Sequence, residues 1–118
     1  MILNLHNSAL PRYRGMRPIN WALKNGEVEH GVTLHEIAPE VDAGAIMACI
    51  RFPIDPIHDE VEDVYSRCLI FGEALIRTCL PIAHELPRMA QDHSKATYFD
   101  RSSVVLLDER STLRRPSA

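Results

Sequence analysis

Asn4 and His6 close a short apolar run that begins at Met1, with one residue between them. Side chains at i and i+2 of a strand share a face, so this spacing presents a carboxamide beside an imidazole. Both are hydrogen-bond donors, and an imidazole also carries protons near neutral pH. Taken alone, the pattern better fits a strand end whose polar groups only satisfy one another. Ser8, close to His6, raises the idea of a serine nucleophile, but the chain has no G-x-S-x-G elbow to expose it. Arg12, Arg14 and Arg17 form a local basic cluster. Guanidinium forks suit phosphate, and a solvated loop explains the same residues equally well. Trp21 reads as helix packing rather than a stacking platform. His30, His35, His58, His84 and His93 lack metal-ligand spacing. They are expected on the surface or in the core, and no metal site is expected.

These residues need elements to position them. Met1 to Leu5 reads as a buried strand. His6 to Arg17 has loop composition, and Pro18 suits the first turn of a helix carrying Ile19, Ala22 and Leu23, with Gly26 as its cap. Gly31 to Ala38 and Ala45 to Ile54 alternate as strands, with Pro39 to Gly44 between them, and a short link of this kind suggests an antiparallel pair. Helical spacing of Val61, Val64, Tyr65, Cys68, Leu69, Leu75, Ile76, Cys79 and Leu80 predicts a long helix from about Asp59 to Glu85, kinked or divided at Pro81. Residues 87–103 look irregular. The fold class is therefore α/β, a small mixed sheet with a long packing helix. Three strands make a thin sheet with an edge that tends to pair, so the chain reads as part of a larger domain.

The 118 residues allow one domain at most, with a core that removes roughly two-thirds of the chain's surface from water. A net charge of −3 argues against a general nucleic-acid binder. Cys49, Cys68 and Cys79 show no C-x-x-C spacing. Cys68 and Cys79 would sit about 16 Å apart on one helix, too far to bridge. Buried reduced thiols in a cytoplasmic protein are expected. No apolar run has the length of a membrane span. Residues 1–102 are expected to form the folded part, and 103–118 a short apolar run followed by a mobile polar tail.

Five separated pieces carry a resemblance: Asn4-Leu5-His6; Ser8-Ala9-Leu10-Pro11; Tyr13-Arg14-Gly15; Gly31 to His35; and Asp42-Ala43-Gly44. In this order and spacing the chain resembles the folate-dependent formyltransferases, whose members act on methionyl-tRNA, glycinamide ribonucleotide or nucleotide-linked amino sugars. QDHSKATYF at residues 91–99 extends the likeness. Ala9 departs from the family's usual Leu. The resemblance covers the second, catalytic half of a Rossmann-like formyltransferase domain, in which an α/β unit precedes N-x-H and forms part of the folate pocket.

The resemblance implies transfer of a formyl group from N10-formyltetrahydrofolate, the co-substrate, to a primary amine. Asn4, His6 and Asp42 fall at the catalytic positions. Asn4 and His6 would stabilise the oxyanion. Asp42 would orient His6, raise its pKa and keep it protonated near neutrality, or accept the amine proton. The turn Ala38, Pro39, Glu40, Val41 and Asp42 would meet the pterin through its backbone. Ser8, Arg12, Tyr13 and Arg14 would contact the amine substrate. An amino sugar on a nucleotide is preferred over methionyl-tRNA, which is the one nucleic acid expected as a partner. A homo-oligomer or a separate N-terminal half would complete the fold. The alternatives are a formyltetrahydrofolate hydrolase and a non-catalytic truncated fragment or half of a split enzyme.

Overall fold

Alternating side chains in Leu3–His6 (β1) and Glu29–Glu36 (β3) sort the sheet into two faces, and a computed structural model describes them within residues 1–100 of the chain. β1 pairs antiparallel with β3, Asn4 opposite His35 and His6 opposite Thr33. β3 pairs antiparallel with Ile46–Pro53 (β4), with a bulge between Leu34 and His35. The order is β1-β3-β4. Arg14–Gly15 (β2) and Tyr98–Phe99 (β5) form a separate parallel pair. The parallel pairing thus lies outside the three-stranded sheet, which is antiparallel throughout.

One sheet face is apolar and covered by Val61–Cys79 (α2), the long helix predicted from periodicity. It opens with the Glu60 N–H donating to Asp63 at 2.8 Å, which satisfies one of the free backbone donors of a helix start. After Cys79 the chain tightens into a 3-10 turn over Leu80–Ile82, where Pro81 ends the regular hydrogen bonding. Val64, Cys68 and Leu75 of α2 join Val32, Leu34 and Phe52 of the sheet in one core. Phe52 stacks on Phe71 at 5.1 Å. Each such fully buried side chain contributes about 1.5–3 kcal/mol. Gly72 sets the spacing, because a Cβ there would stand 2.7 Å from Leu5 Cδ2.

Pro18–Lys24 (α1) begins at proline and ends at Asn25, with Gly26 at φ 74° completing the turn. Trp21 lies flat against Phe99, ring centroids 4.0 Å apart, and Tyr13 stacks on the same ring at 6.0 Å. This aromatic stack ties residues 97–99 to the loop after β1. The sequence showed no sign of it, and residues 87–100 are better ordered by pairing than their composition suggested.

Cys68 and Cys79 are buried, and burial pushes the Cys68 thiol up to about 12. Cys49 corrects the expectation of three buried thiols, since it lies exposed on β4. No helix among the described residues is long and apolar enough to cross a membrane. The apolar run and tail at 103–118 lie outside the described residues.

Candidate active site

The sheet face opposite α2 carries Asn4, His6, Thr33 and His35 as two cross-strand pairs. His6 is buried, and its Nε2–H donates to the Tyr13 carbonyl at 2.7 Å. That bond leaves Nδ1 facing Asp42, whose Oδ2 is 3.4 Å away. Asp42 arrives from the turn between β3 and β4, in the left-handed region at φ 53°, which Asp tolerates better than most residues. Its Oδ2 also accepts the Gly15 N–H at 2.9 Å. Its Oδ1 lies 3.5 Å from His35 Nε2, and that same Nε2 is 3.3 Å from Asn4 Nδ2. The structure thus gathers Asn4, His6 and Asp42 as the sequence predicted, and adds His35 to them. Contacts of 3.4–3.5 Å are long for hydrogen bonds.

The charges divide unexpectedly. Burial presses the His6 pKa down, and this outweighs the Tyr13 carbonyl and the Asp42 charge, leaving it below 6.5. The expectation that Asp42 keeps His6 protonated is therefore corrected. Burial also presses on His35, but the Asp42 carboxylate and the Glu36 carbonyl prevail and leave its pKa raised. Asp42 is correspondingly lowered: burial opposes ionisation, and His35, His6 and the Gly15 N–H outweigh it.

The turn lies open beside this cluster. Pro39, Glu40 and Val41 are exposed, while Ala38 and Asp42 are half-buried. A cavity of about 410 Å³ is lined by Ala38 and Gly44 of the turn with Ile2, Glu36, Ile37 and Ala45. Another of about 350 Å³ is lined by Pro39, Glu40 and Val41 with Arg14 and Tyr98. Gly44 lets the turn close, because a Cβ there would fall 1.6 Å from the Glu36 carbonyl oxygen.

The sequence profile of the family described as formyl transferase matches residues 1–80. The chain belongs to the formyl transferase family. Solved structures agree with this formyl transferase assignment. The N-formyltransferase from Helicobacter canadensis, solved with folinic acid and dTDP-3-aminofucose, is 36% identical, with a TM-score of 0.82 over 86% of this chain and 38% of its own. WlaRD, a sugar 3N-formyl transferase solved with dTDP and 5-N-formyl-THF, is 34% identical, with a TM-score of 0.85 over 92% of this chain and 40% of its own. Methionyl-tRNA formyltransferase from Clostridium thermocellum shares the fold at 19% identity and a TM-score of 0.63, over 84% of this chain and 41% of its own. The chain therefore spans about two-fifths of the length of these formyl transferase relatives.

Within this formyl transferase fold, the residues expected to contact an amine substrate separate. Ser8 is fully buried and its hydroxyl donates to the Arg12 carbonyl at 2.6 Å. Tyr13 is buried, its hydroxyl donating to Glu27 and accepting from Asn25 at 3.1 Å. Arg14 is buried too, its guanidinium donating to Gln91 Oε1 at 2.8 and 3.1 Å and to His93 Nδ1 at 2.8 Å. As placed, these three build the loop. Arg12 reaches solvent while pairing with Glu27 at 2.6 Å.

Two residues make contacts at the site that the sequence does not reveal. His35 closes the Gly31 to His35 piece with no role assigned there, and only the register of β1 on β3 sets it opposite Asn4. Gln91 opens the QDHSKATYF stretch, which says nothing of its contacts. Its Nε2 donates at 2.7 Å to both the Asp42 and Gly44 carbonyls, while its Oε1 holds Arg14. Gln91→Ala would strand those buried groups, and an unsatisfied buried polar group costs about 1–3 kcal/mol. We expect a loss of about 2 kcal/mol, read as a lower urea midpoint. An unchanged midpoint would mean that the turn holds without this clasp.

Proposed function

We propose that this chain carries the reacting half of a site that moves a formyl group from N10-formyltetrahydrofolate to the primary amine of a nucleotide-linked sugar. The observation that carries the reading is Asn4, His6 and His35 on one sheet face, with Asp42 reaching them from the 38–42 turn. The sugar is favoured over methionyl-tRNA because two formyltransferases solved with dTDP or a dTDP-linked amino sugar match at 34–36% identity, against 19% for the tRNA enzyme.

The amine nitrogen attacks the formyl carbon, and negative charge gathers on the formyl oxygen. Asn4 Nδ2–H donates to that oxygen, the kind of interaction that lowers such barriers most. The attacking nitrogen loses a proton to Asp42, directly or through Nδ1 of neutral His6. The same proton reaches folate N10 as the carbon–N10 bond breaks, so the site returns to its starting charge. The 38–42 turn meets the pterin through its backbone, with Ala38, Pro39, Glu40, Val41 and Asp42 lining it. Arg12 offers a guanidinium toward a phosphate of the nucleotide.

The relatives extend over lengths of chain that this one does not match. A separate polypeptide supplying that part, or a second copy of the chain, would cover the outer edge of β1, where Met1 and Ile2 are exposed, and the outward side of α2 at Leu69 and Ile70. The test is a formyl-transfer assay with N10-formyltetrahydrofolate and a dTDP-linked amino sugar. It is run on the chain alone and with the unmatched part of the Helicobacter canadensis enzyme supplied in trans. Transfer in the complemented mixture supports the reading, and its absence in both overturns it. In the same mixture Glu40→Ala should alter folate affinity by about twofold or less, as expected of an exposed side chain. A tenfold change would assign the pterin contact to the Glu40 carboxylate instead of the backbone.

A further inference from the structure

The carboxamide of Asn4 has two ends, and only one can face His35. His35 stands directly across from Asn4 on β3 and is 1% exposed. Its Nδ1 lies 2.9 Å from the Glu36 carbonyl oxygen. A carbonyl only accepts, so Nδ1 holds a proton in either charge state. Nε2 is then a bare acceptor in the neutral ring and a donor in the imidazolium. It meets Asn4 at 3.3 Å and Asp42 Oδ1 at 3.5 Å. Against the bare acceptor, the NH2 end of Asn4 is the matching partner. Against an Nε2–H, the same NH2 end sets donor against donor, and the carboxamide must turn its oxygen inward.

We propose that His35 is a positioning residue that selects which end of the Asn4 carboxamide faces the reacting formyl oxygen, releasing the NH2 end as a donor when the imidazole is protonated and withdrawing it when the imidazole is neutral. The proposal rests on the reading of Asn4 as the donor to the formyl oxygen. It adds a gate to that role, built from a residue that touches no substrate.

The surroundings favour the released state, holding the imidazolium to higher pH than in an isolated imidazole. Facing His35 are Asp42 from the turn, and Asn4 and His6 from β1, the His6 ring centroid 6.4 Å away. The β4 neighbour is Ile46. α2 packs on the opposite sheet face, and its buried residues Val64, Cys68, Gly72, Leu75 and Cys79 include no carboxylate, imidazole, amine or guanidinium. Asp42 is thus the one carboxylate recorded in contact with the ring among the described residues, and it stabilises the imidazolium. Neutral His6 adds no opposing charge.

The experiment is an NMR titration of the 15N-labelled chain from about pH 5 to 9, the span over which imidazoles titrate in proteins. It follows the His35 ring nitrogens and the Asn4 side-chain NH2 together. The expected result is one shared midpoint for His35 Nε2 and the Asn4 amide. That midpoint should persist in His6→Asn, and the Asn4 response should vanish in His35→Gln. In the complemented transfer assay, kcat should fall about tenfold per pH unit above the same midpoint, with KM unchanged, and His35→Gln should lose that limb. An Asn4 amide that stays constant while His35 titrates, or that follows His6 instead, overturns the gate. The wild-type titration decides this even if the His35 variant does not fold. Failure of the donor reading looks different: the Asn4–His35 coupling stands, but Asn4→Ala still transfers formyl at the normal rate.

Discussion

His6→Ala is expected to lower kcat for formyl transfer by about 10² to 10⁴-fold, the range for loss of an acid–base or oxyanion group. The ring does two things that alanine cannot. Its Nε2–H secures the Tyr13 carbonyl at 2.7 Å, and its Nδ1 faces Asp42 at 3.4 Å as a neutral proton acceptor. Asp42→Asn should be comparably damaging. An amide oxygen can still accept from Gly15, so the turn keeps its anchor, but the charge that balances His35 and a protonated His6 is gone. Folding should survive both changes, because neither side chain belongs to the apolar core under α2. Steady-state kinetics of the complemented enzyme, paired with circular dichroism of each variant, check this. Turnover within threefold of normal in either variant, a loss of under about 1 kcal/mol in barrier terms, would remove that residue from the mechanism.

Acid should destabilise the fold through His30. This residue is 2% exposed and donates to the Asn7 carbonyl at 2.6 Å. Burial pushes its pKa down to about 4, assisted by the nearby His6 and opposed by the Asn7 carbonyl and Glu27. The unfolded chain takes up this proton first, near its ordinary value of 6.5. Stability from His30 is therefore complete above about pH 6.5 and is lost as pH falls toward 4, amounting to about 3 kcal/mol. His6, also lowered, acts in the same direction. His35 acts in the other: its contribution is complete below about 6.5 and fades as pH rises through its raised folded pKa. Stability should peak near neutrality and fall steeply on the acid side. Urea unfolding at pH 7 and pH 4 measures this, with His30→Gln as the comparison, since its amide can still donate to Asn7. Equal acid sensitivity in wild type and variant would show that the proton goes elsewhere.

What the sequence disclosed was local. The alternation in β1, Pro18 at the start of α1 and the apolar spacing of α2 each follow from a period or a propensity written within one element. Asn4 and His6 share a face for the same reason. The motif pieces placed Asp42 in the turn, but not its bond to Gly15, which joins residues far apart in the chain. The partnership of His35 with Asn4 depends on the register of β1 on β3, and the bulge on the other edge of β3, where Leu34 and His35 meet β4, shows how one residue can shift a register. The clasp of Gln91 on Arg14 and Asp42 leaves no periodic trace at all. The pKa of His6 is not legible in the sequence, because a neighbouring carboxylate can be read from a motif, whereas the degree of burial that overrides it cannot.

The Trp21–Phe99 stack gives the molecule a built-in optical probe. Trp21 is the chain's only tryptophan, 4% exposed, with its ring 4.0 Å from Phe99. Phe99 reaches it through a short parallel pairing on Arg14–Gly15. Trp21 and Phe99 both pack with the core that α2 covers, so indole emission reports on the docking of residues 97–99 together with that core. If this segment lifts away, the indole meets water and its emission moves to longer wavelength while helical circular dichroism holds steady. A red shift that precedes the loss of ellipticity in a denaturant series would reveal that the closing strand and the sheet come apart as two separate events.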